Sequence, residues 1–133
     1  MKKIFILLVM TVALIGCGQK EKKKEEAKQK EIILTVMTSA HPYFQGVIST
    51  WEKLAKEENF KLTILDPRFD NGKLRQITDD IIVSHPDGVA FGPLESEMSV
   101  RMIKQIKEAG IPVIAYNVKP NENIVPVVSG GNY

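Results

Sequence analysis

The chain has 133 residues, a formal net charge of +2, two histidines and a single cysteine. Charge so near balance excludes the basic surface that nucleic-acid binding requires, so no nucleic-acid partner is expected. A lone cysteine excludes an intramolecular disulfide.

The first nineteen residues, MKKIFILLVMTVALIGCGQ, set Lys2 and Lys3 before an apolar run from Ile4 to Gly16, followed by Cys17. Spanning a hydrocarbon layer of about 30 Å takes about 20 apolar residues, and this run is shorter. It reads as a secretory signal over residues 1–16 rather than a membrane-spanning helix. Leu14-Ile15-Gly16-Cys17 resembles a bacterial lipobox, the signal after which the cysteine becomes the lipid-carrying N-terminus. The alternative is an ordinary signal peptide with an incidental cysteine. Cys17 is thus the expected lipidation site. Its acyl chains would hold the mature protein to a bilayer leaflet without crossing it, in the periplasm or at the cell surface.

Residues 17–31 are expected to form a tether. From Lys20 to Glu31 the sequence KEKKKEEAKQKE has no β-branched or aromatic residue, and four glutamates dilute six lysines. It buries too little apolar area to offset its ordering entropy, and reads as solvated chain. Binding of its lysines to anionic headgroups is the other reading. The remaining residues, 32–133, suffice for one small domain around one core.

From Ile32 onward, short β-branched runs alternate with helical-period segments. The runs Ile32–Thr38, Lys61–Asp66, Gly88–Gly92 and Pro112–Tyr116 begin 29, 27 and 24 residues apart, the spacing of βαβ units. Val47, Ile48, Trp51, Leu54 and Ala55 mark one helix face. Leu74, Ile77 and Ile81 mark a second, after the capping sequence Asp70-Asn71-Gly72. Met102, Ile103 and Ile106 mark a third, stopped by Gly110 and Pro112. Near-continuous apolar strands such as VAF and PVIAY predict a sheet covered on both faces. The expected fold class is therefore α/β, an open, doubly wound parallel sheet with right-handed crossovers. Pro126 cannot donate to a ladder, so Ile124–Ser129 is either an edge strand or a strand that starts at Val127. Gly130-Gly131-Asn132 resembles a turn into a helix, and Tyr133 ends the sequence there. One side of the last strands is expected to lie bare.

Ligands of open α/β sheets bind beyond the carboxyl ends of the strands. After the first run comes SAHPYFQG, with Tyr43 and Phe44 adjacent at a strand-to-helix junction. An aromatic plate flanked by polar groups suits a sugar ring; plugging the top of the core is the equal alternative. Enzymatic activity is not expected. His41 and His85 both precede proline, neither a GxxxxGK loop nor a GxSxG elbow occurs, and Asp79 and Asp80 fit a solvated helix face. No cofactor is expected, and no metal, because neither histidine has a second ligand three or four residues on.

Two segments together, TVMTSAHPYFQGVISTWEKLAKEENFKLTILD and PDGVAFGPLESEMSVRMIKQIKEAGIPVIAYNV, resemble the type I periplasmic sugar-binding proteins, the ribose-binding-like solute receptors of ABC transporters. The resemblance implies a lobe of a two-lobed receptor that closes on a monosaccharide or similar small polar ligand and delivers it to an ABC permease. His41 falls where that family has a polar contact, Tyr43 and Phe44 where it has stacking aromatics, and Asp66 where its second strand closes. Asn117 falls where many members carry an acidic residue, often followed by arginine. The pair here is Asn117-Val118, which leaves the ligand open. Asn132 falls at a further mouth-of-cleft position. On this resemblance residues 32–133 are a partial N-terminal lobe, the chain is expected to be a truncated form, and its own binding to be very weak. A receptor serving a chemoreceptor or sensor kinase, and an inactive fragment, are the competing readings.

Overall fold

A computed structural model describes residues 28–128; the signal segment, Cys17, most of the tether and Asn132 lie outside the described residues. The elements alternate: β1 (Glu31–Thr35), α1 (Pro42–Glu57), β2 (Lys61–Leu65), α2 (Asn71–Ser84), β3 (Gly88–Phe91), α3 (Ser96–Glu108), β4 (Val113–Tyr116) and β5 (Val127–Val128). All five strands run parallel in the order β2-β1-β3-β4-β5.

The first two helices begin at side-chain caps, whereas α3 has none at Glu95. His41 caps α1, its Nδ1 accepting from the Tyr43 amide at 3.2 Å, and Pro42 supplies a preset helical φ at the first position. Asp70 caps α2 through the Lys73 amide at 2.8 Å. Gly110, at φ +78°, takes the left-handed turn that ends α3 and reverses the chain toward β4.

Strand alternation sorts the core into two layers. Ile33, Val89, Phe91, Val113 and Ala115 pack under α2 and α3 together with Leu74, Ile77, Ile81, Met102, Ile103 and Ile106. Leu34, Val36, Ala90 and Tyr116 point to the opposite face, where Phe44, Val47, Ile48 and Trp51 of α1 meet them. Leu54, expected on the buried face of α1, is 40% exposed. The face turns instead through Phe44, Val47, Ile48, Trp51 and Ala55, so Leu54 lies just past its edge. Asp79 and Asp80 are exposed.

The last strand starts after Pro126 and is an edge strand, so both features anticipated for it hold together. The Pro126 carbonyl accepts from Ala115 N at 3.0 Å, while its ring nitrogen needs no partner. Among the described residues, a groove of about 920 Å3 opens on the α1 side at the lower ends of β1, β3 and β4.

The upper ends of β1, β3 and β4 are welded together by a short polar network. Tyr116 Oη donates to the Thr35 carbonyl at 2.7 Å, and Gly92 N donates to Thr35 Oγ1 at 2.8 Å. The Tyr116 ring takes the space a side chain at 92 would need: an added Cβ would meet the Thr35 carbonyl oxygen at 2.6 Å and Tyr116 Oη at 2.9 Å. Burial pushes the Tyr116 hydroxyl's pKa up, with the nearby Tyr43 adding to the effect, so it stays a proton donor. Replacing Gly92 by Ala is expected to destabilise the fold by about 1–3 kcal/mol. Denaturant melts of the two proteins measure this directly, and unchanged stability would show that the network yields freely.

Candidate functional site

The residues that follow β1, β2, β3 and β4 gather at the carboxyl edge of the sheet, where an open parallel sheet presents its crevice. Their placement follows from the strand order. With β1 between β2 and β3, the loop after β1 is the central one of the three that follow these strands, and it leads through His41 into the first turn of α1, which carries Tyr43 and Phe44.

A two-loop clamp holds that central loop. Asp66 Oδ2 accepts from both the amide and the hydroxyl of Ser39, at 3.0 and 2.6 Å, while Oδ1 accepts from the Arg68 amide at 2.7 Å. Partial burial works against ionisation of Asp66, but the Ser39 and Arg68 donors outweigh it and hold the carboxyl below its ordinary pKa. The Phe69 amide then donates to the Met37 carbonyl at 2.9 Å, drawing the loop after β2 against the loop after β1.

In the first turn of α1 the two adjacent aromatics part company. Phe44 is 5% exposed and packs with Leu34, Val36, Ala90 and Tyr116, whereas Tyr43 is 49% exposed. They meet edge to face at 5.0 Å and 82°, and the His41 ring leans on Phe44 at 6.1 Å. Phe44 is therefore the plug of the upper core, and Tyr43 is the ring offered to solvent. His41 is exposed, and with Nδ1 accepting in the helix cap, its neutral tautomer carries the proton on Nε2.

Asn117 lies at the end of β4 on the same edge. Its φ of +69° falls in the left-handed region, which asparagine tolerates better than most residues. Its amide donates to the Val128 carbonyl at 3.1 Å, and Nδ2 reaches Met37 Sδ at 3.7 Å, a weak bond that links β4 to the central loop. His41, Tyr43, Phe44 and Asn117 thus share one edge; Asn132 lies outside the described residues.

Sequence reasoning passed over several residues here. Ser39 forms the clamp with Asp66, and Gly92 and Tyr116 build the floor beside Thr35. Phe69 stands 61% exposed at φ +59° next to the central loop. Its one signal was an aromatic beside the turn sequence Asp70-Asn71-Gly72. Asn71 Nδ2 donates to Glu95 Oε1 at 2.8 Å, which ties the start of α2 to the loop after β3, while its Oδ1 is buried with no partner among the described residues. The large groove lies at the other end of the sheet and is mainly apolar, so it is not part of this polar edge. Among the described residues no three His, Cys, Asp or Glu side chains converge as metal ligands.

The clamp makes a pH-dependent claim. Because the folded-state pKa of Asp66 is depressed, its contribution is complete above the ordinary Asp value of about 3.9 and is lost as pH falls through the lower folded value. Asp66→Asn should cost about 1–2 kcal/mol near neutrality. The gap between native and variant melts should close on acidification, and a gap independent of pH would mean that packing rather than charge holds the loops.

The periplasmic binding protein domain family matches residues 32–133. The chain is 26% identical over 110 residues to the ribose import binding protein of Bacillus subtilis, covering 81% of this chain and 36% of that one. It is 24% identical over 99 residues to an ABC transporter periplasmic-binding protein of Escherichia coli, 72% of this chain and 30% of the other. The chain therefore spans about a third of the length of these relatives. Among solved structures, an ABC transporter periplasmic solute binding protein from Actinobacillus succinogenes with bound D-allose superposes with a TM-score of 0.67 at 22% identity, over 71% of this chain and 34% of that one. Parallel sheet order, carboxyl-edge loops and family match agree over the same residues, and the chain belongs to the periplasmic binding protein domain family.

Proposed function

We propose that this protein serves as the substrate-binding component of an ABC importer, taking a monosaccharide or similar small polar ligand at the carboxyl edge of its sheet for transfer to a membrane permease. The observation that carries the reading is the exposed ring of Tyr43 at the start of α1, next to the capping His41 and on the same carboxyl edge as Asn117, with the loop before it held by the Asp66 clamp. A ring with polar neighbours matches the alternating apolar and polar surface of a pyranose or furanose. Two relatives are named for import binding or periplasmic binding in ABC transport, which supports the same class.

Roles divide along burial. Tyr43 stacks on the ligand, His41 donates from Nε2, and the Asn117 side chain both donates and accepts. Phe44 supports Tyr43 from below. The edge engages a ligand from one side, so desolvation is partial and affinity is low; a second surface closing over the ligand would raise it. Cys17 supplies the membrane attachment through acyl chains, with residues 17–31 as tether and the binding domain outside the cytoplasm.

Two outcomes test this division. Titrating ribose and allose to about 50 mM, the range for millimolar affinity, should shift the amide resonances of residues 39–45 and 117; resonances unmoved by any monosaccharide would overturn the reading. Tyr43→Ala should abolish those shifts with little change in stability, whereas Phe44→Ala should cost about 3–5 kcal/mol of stability, as for a buried Phe. The reverse pattern would make Phe44 the ligand contact. For the anchor, Cys17→Ser should stop incorporation of labelled palmitate in cells, and continued labelling would remove Cys17 as the lipidation site.

A further inference from the structure

Much of the polar chemistry at the carboxyl edge is turned inward. Asp66 uses both oxygens on the Ser39 hydroxyl and the Ser39 and Arg68 amides. Thr38 Oγ1 accepts from the Ala40 amide at 3.3 Å, Glu95 Oε1 accepts from Asn71, and the Ser96 hydroxyl donates to the Lys119 carbonyl at 3.0 Å. Beneath them, Tyr116 Oη and Thr35 Oγ1 are buried in the bonds that join β1, β3 and β4. Of the side chains assigned to the ligand above, His41 offers Nε2, whereas Asn117 offers chiefly Oδ1, because its Nδ2 is turned to Met37.

Met37 lies two residues past the end of β1 and is half-buried. It packs against the cluster of Leu34, Val36, Phe44, Ala90 and Tyr116, and its Sδ stands 3.7 Å from Asn117 Nδ2. The thioether therefore links the cluster that supports Tyr43 to the amide at the end of β4. On the β2 side, the Met37 carbonyl accepts from the Phe69 amide at 2.9 Å, which places a second exposed aromatic residue beside it. A thioether is polarisable, accepts hydrogen bonds weakly and donates none. A ligand hydroxyl set against it exchanges water for a partner that returns almost nothing, which disfavours binding. A methyl or methylene in the same place gains dispersion contact and loses no hydrogen bond.

We infer, on the monosaccharide reading above, that the preferred ligand is a deoxy sugar whose methyl or methylene carbon seats on the Met37 thioether. Tyr43 stacks on the ring face, and His41 and Asn117 bind neighbouring oxygens. Met37 is thus a specificity-determining residue that favours the sugar lacking one hydroxyl, and Phe69 extends the apolar surface beside it.

The test compares sugars that differ by a single hydroxyl: L-fucose with L-galactose, L-rhamnose with L-mannose, and 2-deoxy-D-ribose with D-ribose. Each is titrated into the 133-residue chain while the amide resonances of residues 39–45 and 117 and the ε-methyl resonance of Met37 are followed. An apolar surface rejects an added hydroxyl only modestly, so in at least one pair the deoxy sugar should half-saturate the shifts at a concentration lower by about threefold or more. The Met37 ε-methyl should move with it. Met37→Gln, similar in length but able to donate and accept, should erase that preference, and Met37→Leu should keep it. A preference below threefold in every pair, a Met37 methyl that stays fixed while the amides move, or a preference untouched by Met37→Gln would each overturn the deoxy-sugar inference and leave the monosaccharide reading standing. The first two of these outcomes need no variant to fold. If no sugar of the six moves any of these resonances, the monosaccharide reading falls and the deoxy-sugar inference falls with it.

Discussion

The structure depends on β1 being paired along both edges and covered on both faces. Its five residues run in register with β2 from Glu31 to Thr35, and three of them pair with β3 on the other side. Leu34 and Thr35 have no solvent exposure, and Val36 just beyond the strand has none either. Because β1 lies between β2 and β3, the loop leaving it is flanked by the loops after both, and it leads directly into His41, Tyr43 and Phe44. The bond from Tyr116 to the Thr35 carbonyl extends that reference to β4, 81 residues away in sequence. Gly92 is required because that bond brings a ring where a side chain would stand.

The carboxyl edge combines a rigid base with exposed groups. Phe44, Tyr116 and Thr35 are buried, while His41 and Tyr43 face solvent directly above them. Rigid support beneath an exposed ring lowers the entropy lost when a ligand stacks on it. The Ser39–Asp66 clamp adds to this rigidity by joining the loops after β1 and β2, since a carboxylate accepting several donors resists displacement more than a neutral pair would. The opposite end of the sheet differs in kind. Its groove is mainly apolar and lies at the strand starts.

The surface ion pairs contribute little to this arrangement. Lys61 sits 2.9 Å from Glu31 across the β1–β2 pair, and Lys104 sits 2.7 Å from Glu122, both largely in solvent. Exposed pairs of this kind are worth at most about 1 kcal/mol. Burial of the two apolar layers and the pairing of β1 dominate, which is why the site's geometry follows from strand order rather than from charge.

Much of this was legible in the chain. The spacing of β-branched runs gave the parallel α/β class, because a crossover helix needs a fixed length of chain to return to the strand start. Asp70, Gly110 and Pro126 marked helix starts, stops and the edge strand, because each acts on the backbone locally. The segment around His41, Tyr43 and Phe44 stood out as a candidate site because polar and aromatic residues meet at a strand end. What the sequence left open was the division between Tyr43 and Phe44: adjacent aromatics differ only in which way the first turn of α1 faces, and that is set by contacts with Leu34 and Tyr116. Leu54 fell outside the buried face for the same reason, since the sheet, not the helix period alone, fixes how α1 rotates. The clamp between Ser39 and Asp66 and the network through Thr35, Gly92 and Tyr116 both join residues far apart in the chain. Only the tertiary structure brings them together, because strand order and helix coverage are properties of the assembled sheet.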